Sequence, residues 1–373
     1  QGASVMMEAF EKHFDKLQST ILACEYNSQT GTDCSCGDGK SDYHCEECFS
    51  STPSCRQCLV RSHQDLPLHH AQQWTGTHFN RTCLSEMGLV LFLGHGTVRC
   101  PNAPVGSKGR PTVIVHTNGI HKLNIEFCHC AHASADPFQL TSASLFPATT
   151  DQPETAFSFT VLKEFHAHTL SSKKSGYEYF IALRKLTNNA FPDETYDRYR
   201  EFLRVARVWR YLTSVHRAGQ AHNIDSILTH QQPGSLAVRC PACPEIGFNV
   251  SQDFLTMLSP DMRHIVTKYL SGDGNFRLVH EMNGNKDPDD VALTNGNSYF
   301  VRWADFEAYL KVASLKPEEV RVLKSTCNRL KAAIMQNIMK FKNKDVTGVF
   351  AIQCARHQFF EPNGMVDLHK GER

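Results

Sequence analysis

Residues 34–70 read CSCGDGKSDYHCEECFSSTPSCRQCLVRSHQDLPLHH. The stretch holds six of the chain's fifteen cysteines and four of its twenty histidines. Whether these are disulfide partners or metal ligands decides what is built here. The spacings are CxC at Cys34 and Cys36, CxxC at Cys45 and Cys48, and CxxC at Cys55 and Cys58. No charged-then-apolar secretory segment opens the chain, which sets the expectation of a reducing compartment and free thiols. Thiolates two or three residues apart grip one tetrahedral Zn2+ through a tight turn. Three cysteine pairs need two more ligands to complete two four-ligand sites. His63 and His69 follow at once, with His70 as the alternative to His69. The spacing predicts an interleaved cross-brace. Cys34, Cys36, Cys55 and Cys58 hold one zinc, and Cys45, Cys48, His63 and His69 hold the other. Such a staple suits a short segment with almost no apolar core. Neither site leaves an open coordination position, so these zincs are structural.

Composition bounds the rest. The 373 residues are 41% hydrophobic, enough for two or three globular domains. The longest apolar run, around Met87 to Leu93, is too short to span a bilayer, so no membrane partner is expected. The sequence begins with Gln1 and stops at DLHKGER, which sets the expectation of an excerpt from a longer polypeptide. The net charge of +1 gives no global basic field, so any nucleic-acid contact falls to a local patch.

Looser Cys/His groupings follow. LGHGTVRCPNAP offers His95 and Cys100, and VIVHTNGIHKLNIEFCHCAH offers His116, His121, Cys128 and Cys130. The second phrase alternates about Asn118-Gly119 as a β-hairpin does. Cys100, His121, Cys128 and Cys130 are the expected third zinc set, against the plainer reading of Cys and His on strand faces. AVRCPACPEIGFN supplies Cys240 and Cys243, and CARH supplies Cys354 and His357, a chemically sensible fourth set. Its rivals are a redox CxxC, disfavoured by the flanking prolines, and a buried inert pair.

The expected architecture is α+β. A helical lead-in occupies residues 1–30 and a zinc module residues 31–75. Strands and short helices mix through 76–165, with a loop at ASLFPATTDQPETAFS before a helix near Thr160. A helical stretch follows from about Ser175 to Ile227. Its best helix places Tyr199, Phe202, Leu203, Ala206, Trp209 and Leu212 on one buried stripe. Arg200, Arg204 and Arg207 fall on the other face, either solvated or touching phosphate. NFRLVH reads as a strand with Asp273-Gly274 just ahead of it. Helices are expected over Trp303–Ser314 and Pro317–Phe341, and VTGVFAIQC reads as a buried strand with Gly348 allowing close approach.

At this point the residues carry a resemblance. YHCEECFSSTPSCRQC, MGLVLFLGH, NGIHKLNIEFCHC, LFPATTDQPETAFSF, RYREFLRVARVWRYL, AVRCPACPEIGFN, DGNFRL and TGVFAIQCARH…VDLHKGER occur in that order from about residue 34 to the end. Together they resemble the N-terminal half of the Kyakuja–Dileera–Zisupton (KDZ) class of DNA transposases, with its CxC-type cysteine cluster. The resemblance implies a CxC-type zinc domain over 31–165. A transposase-associated helical region and the start of an RNase H-like core then fill 166–373. It implies Mg2+ or Mn2+ between core carboxylates, with Asp273 as the candidate first carboxylate or else a plain Asp-Gly turn. Further carboxylates are expected beyond residue 373. Asp287, Asp289 and Asp290 read as a solvated loop, and Glu372 has no argued role. The resemblance also implies DNA as partner, a homo-oligomer and a nuclear location, with this chain by itself inactive. The alternatives are a non-catalytic zinc module for DNA or protein, as in a domesticated remnant, and a ubiquitin-ligase-type adaptor. Against the adaptor, the remaining residues show no coiled-coil heptads of the kind that accompany such modules.

Overall fold

The computed structural model describes residues 3–49, 52–96, 98–228, 231–281, 288–289, 291–314 and 343–368. The predicted helix over Pro317–Phe341 with Cys327, and Asp287, Asp290 and Glu372, lie outside the described residues. Helices and sheets mix throughout, as an α+β chain requires. The chain forms two units, residues 1–207 and 208–373.

The first unit opens with α1 (Ala3–Glu11) and α2 (Phe14–Cys24). Then come β1 (Tyr43–Cys45), α3 (Arg56–Ser62), β2 (Ala71–Trp74) and β3 (Phe79–Thr82). The three strands make a small antiparallel sheet in sequence order. Its core is slight: Cys45, Leu59, Ala71, Leu84, Met87 and Leu89. So few apolar residues do not offset the conformational entropy of ordering this segment, so a cross-link has to contribute.

The larger sheet of this unit uses β4 (Val90–Phe92), β5 (Arg110–His116), β6 (Gly119–Glu126), β7 (Leu145–Pro147) and β8 (Thr155–Ser158). Its order is β4-β6-β5-β8-β7. The expected β5–β6 hairpin forms, but it pairs His116 with Gly119, so its turn sits at Thr117-Asn118, one residue earlier than expected. β4 runs parallel to β6. The stretch expected to be a loop before Thr160 instead contributes β7 and β8 to the sheet, with the turn through Pro153 between them. Every residue of β8 is buried: Ala156 joins the core under α4 (Asp136–Ser142) with Ile114, Leu123, Ile125 and Leu140, while Phe157 packs on the other face against Phe202.

α5 (Phe159–Ser171) starts on a Ser158 cap that accepts from Val161 N, and α6 (Gly176–Thr187) on a Ser175/Glu178 capping box. α7 (Tyr199–Arg217) inserts Phe202 among Phe157, Phe165, Tyr179 and Phe180, with ring centroids 4.8–5.8 Å away. The buried residues of α7 are Phe202, Val205 and Ala206. The expected stripe was therefore too wide: Leu203 and Leu212 are exposed, and Tyr199 and Trp209 half-buried. The aromatic cluster of Phe157, Phe165, Tyr179 and Phe180 receives Phe202, the most deeply buried residue of this seam.

The second unit contains α8 (Gln252–Met257), β9 (Leu270–Asn275), β10 (His280–Glu281), α9 (Trp303–Ser314), β11 (Lys344–Val346), β12 (Gly348–Cys354) and β13 (Phe360–Leu368). β13, β12 and β9 form an antiparallel sheet in that order. The strand expected at NFRLVH lies earlier, so Asp273-Gly274 is inside β9 rather than ahead of it. The register reason is that β12 pairs Asn275 with Val349 and Asp273 with Ala351. Gly348 permits a close approach, since a Cβ there would stand 2.9 Å from Asn275 O. β12 is buried at its ends and half-exposed between them, not the fully buried strand expected. Among the described residues, no helix is long and apolar enough to cross a membrane.

Candidate metal centres

Four Cys/His quartets each bring four ligand atoms within 4.8 Å of one another. With zinc–sulfur bonds of about 2.3 Å and zinc–nitrogen bonds of about 2.0 Å, a tetrahedral site has edges of roughly 3.5–3.8 Å. The first quartet is Cys34, Cys36, Cys55 and Cys58. Cys36 Sγ lies 3.5 Å from Cys55 Sγ. Backbone N–H groups of Cys55 and Asp38 donate to Cys34 and Cys36 sulfurs at 3.3 and 3.4 Å. Cys55 caps α3 and Cys58 stands three residues on, so one helix face presents both.

The second quartet is Cys45, Cys48, His63 and His69. Cys48 Sγ is 3.4 Å from His63 Nε2 and 3.5 Å from His69 Nδ1, and Cys45 Sγ is 3.4 Å from His69 Nδ1. His63 ends α3, so this helix carries ligands to both quartets and forms the brace between them. His63 Nδ1 lies 2.9 Å from the Leu59 carbonyl. A carbonyl only accepts, so Nδ1 carries the proton and Nε2 keeps its lone pair for a metal. His70, the alternative ligand, is engaged elsewhere: Nδ1 and the backbone N both reach the Glu47 carboxylate at 2.6 Å. Burial opposes ionisation of Glu47, but these bonds and one from Asn118 prevail and hold it down at about 2.

The third quartet is His95, Cys100, Cys128 and Cys130. Because β4 and β6 are parallel, their C-terminal ends share one edge of the sheet. The loop after β4 supplies His95 and Cys100, and the loop after β6 supplies Cys128 and Cys130. His95 Nε2 is 3.3 and 3.4 Å from the sulfurs of Cys128 and Cys130, and Cys100 Sγ is 3.9 and 3.8 Å from them. His121, expected in this set, is not brought to it. It lies inside β6 toward the opposite end, buried, with its ring centroid 4.5 Å from that of His70 and Nε2 2.8 Å from Asn118 Oδ1. Sequence proximity to Cys128 misled because a strand carries His121 away from the edge. The signal for His95 was Gly94, whose φ of +88° turns the chain there and whose missing Cβ would stand 2.6 Å from Cys128 Cβ.

The fourth quartet is Cys240, Cys243, Cys354 and His357. Cys240 Sγ lies 3.3 Å from His357 Nδ1, and Cys243 Sγ 3.1 Å from Cys354 Sγ. The three cysteines are buried and form a cluster of their own.

The thiols within these quartets are set apart. Backbone N–H groups of Cys36 and Cys55 bring Cys34 down to about 6, and that of His129 brings Cys100 to about 6. The Cys243 thiol brings Cys354 to about 6. Crowding by neighbouring sulfurs pushes Cys58 up to about 12 and Cys130 to about 11, while burial first and then Cys354 push Cys243 to about 12. Several thiolates this close ionise together only around a cation. The sulfur-rich donor sets fit Zn2+, and four protein donors at each leave the metal no open position.

The remaining candidate residues do not form a comparable cluster. Arg200 and Arg204 are exposed on α7 and Arg207 is half-buried. Asp273 is exposed on β9, with Oδ1 accepting from Gly274 N at 2.8 Å. It lines a cavity of about 450 Å3 with Phe276, Phe350, Val366 and Leu368. Asp289 is half-buried.

Cross-braced cysteine quartets followed by a mixed five-stranded sheet define a cysteine-cluster protein, and comparison with known families makes the class specific. A family described as CxC2 like cysteine cluster associated with KDZ transposases matches residues 84–191. The Kyakuja-Dileera-Zisupton transposase family matches residues 266–373. The chain belongs to the KDZ transposase family and carries its CxC-type cysteine cluster. The third quartet falls in the first match, and Asp273, Cys354 and His357 in the second; the cross-brace precedes both. No curated protein and no solved structure matches the chain.

Proposed function

We propose that the chain is the zinc-stapled recognition portion and the opening of the catalytic core of a DNA transposase that acts in the nucleus. The zincs are structural, and they hold surfaces that read DNA ends or a partner. The observation that carries the core assignment is the β13-β12-β9 order with Asp273 inside β9 and beside a cavity. An edge strand that presents a carboxylate on an antiparallel sheet suits the first strand of an RNase H-like core. Asp273 would then hold one of the divalent cations, Mg2+ or Mn2+. When bound, such cations activate the attacking oxygen and stabilise displacement at phosphorus. The Asp273 side chain is exposed, and its Oδ1 accepts from the N–H of the neighbouring Gly274. Arg200 and Arg204 are the phosphate-contacting candidates.

The test is anisotropy of labelled duplex DNA with the zinc-loaded chain. Binding that weakens steeply with salt and disappears after chelation supports the reading. No affinity at low salt would end it. The second reading, an interaction module without catalysis, draws on the closed coordination of all four quartets. Asp273→Asn separates the two: it abolishes divalent-metal-dependent strand cleavage by the full transposase if the core is catalytic. It leaves zinc content and DNA affinity unchanged in either case.

A further inference from the structure

Cys128 lies past the end of β6, where the strand ladder no longer reaches it. Leu93 N donates to Glu126 O at 3.0 Å, and β6 stops at that residue. The main chain of Cys128 is taken up instead by one side chain from α4. Its N–H donates to Gln139 Oε1 at 2.8 Å, and Gln139 Nε2 donates back to the Cys128 carbonyl at 3.1 Å. The same Nε2 donates to the Ser134 carbonyl at 2.7 Å. These partners fix the amide's orientation, because turned over it would set its oxygen against two carbonyls. Gln139 is only 8% exposed, so removing it takes a partner from three main-chain groups that water does not readily replace.

Cys130, the second cysteine of the CxC pair, lies between the two points so held. Ala133 N turns back onto Cys130 O at 2.9 Å, and His129 N donates to Cys100 Sγ at 3.4 Å. Residues 128–134 are therefore a closed loop, clamped at both ends by one amide and carrying two thiols of the third quartet. The clamp stands on a fixed element. α4 buries Pro137 and Leu140, Leu140 belongs to the core of the larger sheet, and Asp136 pairs with Arg110 of β5. Ligands held near their bound positions lose less freedom when the metal arrives.

We propose that Gln139 is a positioning residue of the third zinc centre. It acts on the metal through the main chain of Cys128 and the 128–134 loop, not by coordination. The inference rests on the reading of that quartet as a zinc site. A glutamine that only stabilised α4 would make the same hydrogen bonds, so the test reads the metal separately from the fold.

The experiment is a chelator titration of the zinc-loaded chain, followed by thiol alkylation and peptide mass spectrometry to show which cysteines have lost zinc. Gln139→Met keeps the side chain's length and removes all three bonds. It should free Cys100, Cys128 and Cys130 at roughly 10–100-fold lower chelator, with the cysteines of the other three quartets labelling as in the wild type. Gln139→Glu keeps the acceptor for Cys128 N and loses both donors, so its shift should run in the same direction. Leu140→Ala is the control, because it opens a cavity beneath the same helix and lowers the melting temperature without removing any of the three bonds. Its chelator midpoint at those three cysteines should match the wild type. An unchanged midpoint in the Gln139 variants, or an equal shift in Leu140→Ala, would overturn the clamp alone. Labelling of Cys128 and Cys130 in the wild type before any chelator is added would remove the third zinc itself, and the clamp with it.

Discussion

His95 Nε2 stands 3.3 Å from Cys128 Sγ, though 33 residues separate them in sequence. The parallel pairing of β4 with β6 makes the contact, and it replaces His121 as the histidine of the third quartet.

That exchange is directly testable. His95→Ala should weaken zinc at the third centre by about 100-fold or more, since loss of a supporting hydrogen bond alone costs metal sites roughly 10–100-fold. His121→Ala should leave the zinc count unchanged. Metal content by inductively coupled plasma mass spectrometry, after dialysis against a graded chelator, reads both.

Native mass spectrometry of the wild type should find four zincs per chain. Cys45→Ser with Cys48→Ser should lower this by one and unfold the segment around α3, because metal binding there is folding free energy. An unchanged count would refute the ligand assignment.

Gly94→Ala should damage the third centre without replacing a ligand. The left-handed backbone alone costs about 1 kcal/mol, and the added methyl would meet Cys128 Cβ at 2.6 Å. Zinc release at lower chelator concentration and a lower melting temperature are the expected readouts.

Burial first, and then His70 and His116, push His121 down to about 3. The sign follows. The unfolded chain takes up a proton at this ring near its ordinary value of 6.5, whereas the folded chain resists until about 3. Stability from this group is therefore intact above 6.5 and falls as pH drops from 6.5 toward 3. His121→Gln should flatten the fall relative to wild type in thermal melts across that window, although zinc release contributes equally to both proteins.

If α7 touches phosphate, Arg200→Ala with Arg204→Ala should weaken binding evenly across DNA sequences. The slope of log affinity against log salt should flatten by about 2. Unchanged slope would place the DNA contact elsewhere, with the cross-brace as the next candidate.

The sequence by itself determined the chemistry of the cross-brace. Cys34 through His69 lie within one short segment, so spacing and ligand type already limit which atoms can meet, and the structure pairs them as the spacing predicts. It also determined the start signals of α5 and α6, because Ser158 and Ser175 act on N–H groups three residues away. Only the tertiary structure decided what depends on strand pairing. It chose His95 over His121, made strands of residues 145–147 and 155–158, drew Asp273 inside β9, and limited the buried seam of α7 to Phe202, Val205 and Ala206. It also brought Cys240 to His357, which sit 117 residues apart. Local spacing fixes contacts whose loop is short, whereas register and sheet order are set by which apolar faces bury each other, and that is a property of the whole fold.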